Sequence, residues 1–165
     1  MMWRDVVSSG KTYSMAHLHP FTTGVQVGNR QIDLHVTFGW HVFTDEKGAG
    51  VRMDRGDETR FFCAQRHADS HQAVPFIQNQ MGDAYVRPFI AKKSGQMFFV
   101  FDIANYAMFF TFQKPQGTSN ELKCHLASAY TVSPWGHSGL PTWAKLRKMG
   151  YVLDRRERGE PIPLK

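Results

Sequence analysis

Residues 32–43 read IDLHVTFGWHVF, and the two parities of that stretch separate cleanly. Ile32, Leu34, Val36, Phe38, Trp40 and Val42 alternate with Asp33, His35, Thr37, Gly39 and His41. A period of two over this length predicts a β-strand with one face in a core. The other face sets an acid, two imidazoles and a hydroxyl in one row, and Gly39 leaves space for something to approach the backbone. A solvated strand face ordinarily carries Lys, Glu, Thr and Ser, so this row is expected to form the floor of a site.

Working outward, 165 residues of which 42% are hydrophobic suit one domain with a single core. No apolar run reaches the roughly 18 residues of a membrane span. The most apolar window, Met97 to Phe112, is interrupted by Asp102 and Asn105. The opening MMWRDVVSSGK lacks the apolar centre of a secretory signal, so a cytoplasmic protein is expected. Cys63 and Cys124 are too few and too far apart for a disulfide framework and read as reduced thiols. A formal net charge of +6 favours an acidic partner, either nucleic acid or an acidic protein surface.

Taken in order, residues 1–12 show no periodicity and read as a flexible arm. YSMAHLH (13–19) alternates and predicts a short strand ended by Pro20, with a second short strand over 22–27 before the turn residues Gly28 and Asn29. DEKGAGVRMDRGDE (45–58) reads as an exposed loop or loose hairpin, and 59–64 as a short strand. A helix is expected over about 70–81, capped by Asp69 or Ser70, with Pro75 in its first turn and Gly82 at its end. The second half reads as strands over 84–91, 97–103, 106–113 and 121–133, whose short connections imply an antiparallel meander. MFFVFDI and YAMFFTFQ are apolar on both faces and belong mid-sheet. SPWGHSGLP (133–141) reads as a turn, Thr142 as the cap of a final helix WAKLRKMGY, and 151–165 as an exposed charged tail. The fold class is therefore α+β: one domain over 13–150, with a twisted antiparallel sheet of about six strands, one packed helix and a short basic C-terminal helix.

Eight histidines direct the search for chemistry. His17 and His19 share a face, whereas His35 and His41 lie roughly 20 Å apart along an ideal strand, too far to share an ion without a bulge. A three-imidazole zinc site would need the first strand beside the principal one, and no carboxylate follows in metal-binding register. Hydrogen-bonding or surface histidines are the plainer reading, so no metal and no cofactor is expected. A metal-free acid–base site needs a proton acceptor, a cation for phosphate and a proton donor. His35 and His41, with Thr37, offer the acceptor or donor, Arg60 and Arg66 the cation, and Ser128 and Tyr130 hydroxyls from the last strand. Each has a structural reading too. The arginines have Asp57, Glu58 and Asp69 near in sequence, and Tyr130 shares the period-two face of Leu122, Cys124 and Leu126 and would fill the core. Lys145, Arg147, Lys148, Arg155 and Arg156 form the most basic cluster and the expected nucleic-acid footprint, diluted by Asp154, Glu157 and Glu160. Most of the 13 Phe rings read as core filling and not as base-stacking platforms.

Walker, G-x-G-x-x-G, G-x-S-x-G and CxxC signatures are lacking. HLHPF at 17–21, VTFGWHVFT at 36–44, FFCAQRHADS at 61–70 followed by VPFI, and ASAYTVS at 127–133 resemble a family of uncharacterised small bacterial proteins often met on phages, plasmids and integrated elements. The resemblance spans about 13–133 and implies a mobile-element setting, with no catalytic residues to carry across. Two functions follow as expectations: a metal-independent, toxin-type endoribonuclease with His35 or His41 as base or acid and Tyr130 assisting, or a non-catalytic protein that binds and inhibits a host defence or nucleic-acid-processing complex.

Overall fold

A computed structural model describes residues 2–132 and 144–164, so the expected turn over 133–141, the Thr142 cap and Trp143 lie outside the described residues. The chain is α+β and mostly sheet. After the short pair β1 (Val6–Ser8) and β2 (Lys11–Tyr13) come β3 (Phe21–Val27), β4 (Arg30–His41), β5 (Thr44–Asp45), β6 (Arg52–Arg55) and β7 (Glu58–Phe62). A helical stretch follows: α1 (Ala64–Asp69), a 3-10 turn (Ser70–Gln72) and α2 (Ala73–Asn79). The meander β8 (Tyr85–Ile90), β9 (Met97–Ile103), β10 (Tyr106–Gln113) and β11 (Glu121–Thr131) leads to β12 (Arg147–Lys148) and α3 (Met149–Arg158).

Seven strands make the main sheet in the order β12-β8-β9-β10-β11-β4-β3, and β5, β7 and β6 make a small second one. The expected sheet is therefore right in kind and short by one strand. It is also not wholly antiparallel, because β11 runs parallel to β4, with Cys124 opposite Val36. Short connections determine how neighbours in sequence pair, whereas the ribbon takes its second partner from residues far downstream.

The ribbon itself behaves as its period demands. Ile32, Leu34, Val36 and Phe38 are at most 2% exposed, and Asp33, His35, Thr37, Gly39 and His41 on the other face are half-buried. The buried face joins Phe99, Phe101, Phe110 and Phe112 in a core roofed by Phe76 and Ile77 of α2, with the Phe76 and Phe101 centroids 5.0 Å apart. Burying one such side chain is worth about 1.5–3 kcal/mol, so this layer dominates the fold.

Four segments depart from expectation. Residues 1–12 form no flexible arm: β1 and β2 pair, and the Trp3 indole N–H donates to the Phe38 carbonyl at 2.8 Å. The short strand expected over 13–19 does not form beyond Tyr13, the last residue of β2, because Met15 and Leu18 are fully buried at a spacing of three, which a 3-10 turn over Ala16–Leu18 satisfies and a strand cannot. Helix begins at Ala64 instead of 70, with the Cys63 thiol accepting the Arg66 N–H, and Pro75 falls in the first turn of α2 as anticipated. The last helix is α3, which begins at Met149 near the end of the expected helix and runs mostly through the segment read as an exposed tail, while 144–146 is not helical. Met149, Val152 and Leu153 are fully buried, a helical i, i+3, i+4 set masked by the surrounding charges, and Gly159 closes the helix at φ 70°.

Where the 3-10 turn meets α1, His17 stacks on His71 at 3.7 Å and meets His67 edge-on at 5.0 Å. The Ser70 hydroxyl donates to the His67 carbonyl, so it accepts from His17 Nε2 at 2.7 Å. Burial, then the neighbouring imidazoles His71, His67 and His19, lower the His17 pKa from 6.5 to about 4. A depressed imidazole pKa means the unfolded chain binds the proton more readily, so this stability is present above about pH 6.5 and lost as pH falls toward about 4. His17→Asn, which keeps a donor for Ser70, is expected to flatten that limb of an acid-denaturation curve, and an unchanged limb would show that His17 does not set it.

Candidate functional site

On the sheet face opposite the helices lies a cavity of about 640 Å³. Its floor is the polar row of the ribbon, Thr37, Gly39 and His41, joined by His125, Ala127, Ser128 and Tyr130 of β11. Phe89, Phe98 and Phe109 form one wall, and Trp3 and Arg55 stand at another, the guanidinium 5.2 Å from the indole centroid.

A β-bulge decides which side chains reach this floor. Opposite β10, Phe109 pairs with Ser128 and Phe110 with Leu126, leaving Ala127 without a partner. One extra residue inverts the parity of everything after it. Leu122, Cys124 and Leu126 face the core, but after the bulge the fully buried residue is Ala129, and Ser128 and Tyr130 turn to the cavity. Tyr130 therefore lies against Phe109, the rings nearly parallel at 5.7 Å, and not in the core where strict alternation would put it.

His41 is held from two directions. Its Nε2 lies 2.7 Å from a Glu58 carboxylate oxygen, which only accepts, so Nε2 carries the proton and Nδ1 keeps the lone pair. Its carbonyl accepts from Arg66 at 2.9 Å. Burial lowers the His41 pKa, with Arg60 adding to the effect and Glu58 opposing it. His125 Nδ1 lies 2.8 Å from the Thr37 hydroxyl, and burial lowers its pKa as well, with Arg55 among the smaller contributors. Burial raises the Tyr130 phenol, against the pull of Arg66.

Gly39 brings the two imidazoles onto one stretch of floor. A Cβ there would lie 2.8 Å from the Ala127 carbonyl oxygen and 3.2 Å from His125 Nε2, so the glycine admits both the bulge and the ring, two residues from His41. Gly39→Ala is expected to cost about 1–3 kcal/mol in urea unfolding, because strand backbone must move to admit the methyl. An unchanged midpoint would mean that the approach is not tight.

The other residues singled out from the sequence are dispersed. His35 is outside the cavity, between the Thr22 hydroxyl at 3.0 Å and Glu121 at 2.8 Å. His17 sits at Ser70 and His19 at the Trp3 carbonyl, so the three-imidazole grouping with the ribbon does not form. Among the described residues no group of three His, Cys, Asp or Glu is placed to hold a metal ion. Arg60 is buried and donates to the Thr44 hydroxyl and carbonyl, and Arg66 donates to the carbonyls of His41 and Thr44. Both arginines staple the turn after the ribbon, and the Arg66 guanidinium lies 5.3 Å from the Tyr130 centroid. The basic cluster is not at the cavity. Lys145 donates its N–H to Leu164, Arg147 and Lys148 form the edge strand β12, Arg155 pairs with Glu160, and Arg156 covers Phe99, which alternates with cavity-lining Phe98.

Sequence reasoning missed His125, Trp3, Arg55 and the Phe wall. Strands apolar on both faces give no sign of which face is open, but an indole in an opening segment without periodicity is a usable signal.

The profile of the YjaZ family matches residues 5–150. The chain belongs to the YjaZ family. The match contains the ribbon, the bulge and both cavity imidazoles; Trp3 and nearly all of α3 fall outside it. No curated protein and no solved structure matches this YjaZ family member. Among its described residues no helix is long and apolar enough to cross a membrane.

Proposed function

We propose that the cavity is the active site of a metal-independent endoribonuclease that acts on unpaired RNA, with His41 and His125 as its acid–base pair. The observation that carries this reading is the pairing of two imidazoles of lowered pKa on one floor beneath aromatic walls. Rings accept bases by stacking without demanding a sequence. His41 Nδ1 takes the proton of a ribose 2′-hydroxyl, the oxygen attacks phosphorus, and the bond to the 5′-oxygen breaks as protonated His125 gives that oxygen its proton. Arg55 balances phosphate charge, and the Tyr130 and Ser128 hydroxyls offer hydrogen bonds to phosphate oxygens.

The test is incubation of labelled single-stranded RNA with the protein in excess chelator. Cleavage is expected to leave cyclic phosphate ends. Because the acid must be protonated and its pKa is lowered, the rate is expected to be falling with rising pH already below 6.5, the ordinary imidazole value. No cleavage at any pH between 4.5 and 8 ends the proposal.

One observation favours a second reading. Arg55 is the only Lys or Arg among the described cavity-lining residues, while Arg156 belongs to the opposite side of the sheet. That separation suits a non-catalytic protein of a phage or plasmid that blocks a host defence or nucleic-acid-processing complex through its basic surface. An RNA-inactive chain that captures such a complex, and loses it on Lys148→Glu with Arg155→Glu, would support it.

A further inference from the structure

The main sheet ends on β3, and this margin is unlike the other exposed edges. At the far margin β12 is two residues long and both are basic; the small sheet ends on β6, which carries Arg52, Asp54 and Arg55. Short length, charge and proline are the means by which natural edges resist pairing. β3 reads FTTGVQV: seven residues with no charge, no proline and an unbroken register against β4. Among the described residues no strand lies beyond it, and Thr22, Gly24 and Gln26 are exposed.

The hairpin fixes which backbone groups face outward. Gly28, at φ 60°, takes the first central position of a two-residue turn that joins Val27 to Arg30, its register partner. In such a hairpin the pair flanking the turn exchanges both hydrogen bonds, and bonded pairs recur at every second residue. Phe21, Thr23, Val25 and Val27 thus spend their backbone groups on β4. Thr22, Gly24 and Gln26 direct theirs away from the sheet.

We propose that β3 pairs antiparallel with β3 of a second copy about a twofold axis at Gly24, joining two main sheets into one. This register sets Gly24 opposite itself and Thr22 opposite Gln26 of the second copy, using all three outward-facing backbone pairs. It sets Thr23 opposite Val25 and Phe21 opposite Val27 at the positions where side chains approach closest, giving β-branched and aromatic–β-branched contacts. The contact is isologous, so it closes at two chains and does not propagate.

Light scattering on the eluting full-length protein at about 50 μM is expected to give the mass of two chains. T22K/Q26K places lysine opposite lysine on both sides of the axis and is expected to give one chain. T22K/Q26E places lysine opposite glutamate and is expected to restore two. Both variants forfeit the Thr22–His35 hydrogen bond equally, so that loss cannot separate them. A single-chain wild type, a paired T22K/Q26K, a folded but unpaired T22K/Q26E, or growth beyond two chains each overturns the proposal. If T22K/Q26K loses its far-ultraviolet dichroism, the wild-type and T22K/Q26E masses decide.

Discussion

Replacing His41 with alanine is expected to lower RNA cleavage by about 10²–10⁴-fold, the usual contribution of a positioned acid–base group. The thermal midpoint is expected to move by only a few degrees. The reason lies in how the residue is anchored. Its ring is 36% exposed and makes one ion pair, with Glu58, whereas the contact that ties the ribbon's end to α1 is its backbone carbonyl accepting from Arg66. Alanine keeps that carbonyl. Glu58→Gln is expected to show a smaller loss, because the amide can also donate to Nε2 and thereby permit the wrong tautomer. His35→Ala is the control: it lies outside the cavity and is expected to leave the rate unchanged. A His41→Ala protein that cleaves at the wild-type rate removes the acid–base assignment.

Removing the carboxylate of Glu157 is expected to cost about 3 kcal/mol for Glu157→Ala in urea unfolding. That carboxylate, 7% exposed, accepts from Arg30 at 2.6 Å, Lys114 at 3.1 Å and the Asn120 N–H at 3.0 Å. It ties α3 to the start of β4 and to the loop that enters β11. Alanine leaves two cations and a backbone donor short of their acceptor, which costs more than the pair itself is worth. The Arg30 hydrogen bond, then the Asn120 N–H, lower the Glu157 pKa from 4.5 to about 2. A depressed carboxyl pKa contributes stability above about pH 4.5 that disappears as pH falls toward about 2. Glu157→Gln is expected to flatten this limb, while His17→Asn flattens the one above pH 4. Should both variants flatten the same limb, at least one assignment is wrong.

The ribbon was legible because six apolar residues in strict alternation leave only one way to bury them. His41, Thr37, Ser128 and Tyr130 could be named from the sequence, and they do converge. Their convergence was not readable, since it depends on the unpaired Ala127, and a bulge leaves no trace in a hydrophobic pattern until the partner strand is known. The alternation that places Leu122 and Cys124 correctly also offers Tyr130 a core position as its alternative, and the bulge denies it that position. α3 is obscured for a different reason: five consecutive charged residues follow its three buried apolar ones and hide their helical spacing. His125 escaped notice because a lone imidazole on a strand has no signature beyond its neighbours.

The parallel pairing of β4 with β11 has a consequence for how the chain is made. During synthesis the ribbon leaves the ribosome with only β3 beside it, its greasy face unshielded and its other margin open. It must wait for about eighty further residues before the strand that completes it exists. Contacts this distant along the chain close slowly. The interval is one in which a chaperone that grips exposed hydrocarbon would find this polypeptide, and one in which a crowded pool of nascent chains would clump. Slowing translation between residues 45 and 120 should therefore lower the soluble yield more than slowing it after 131.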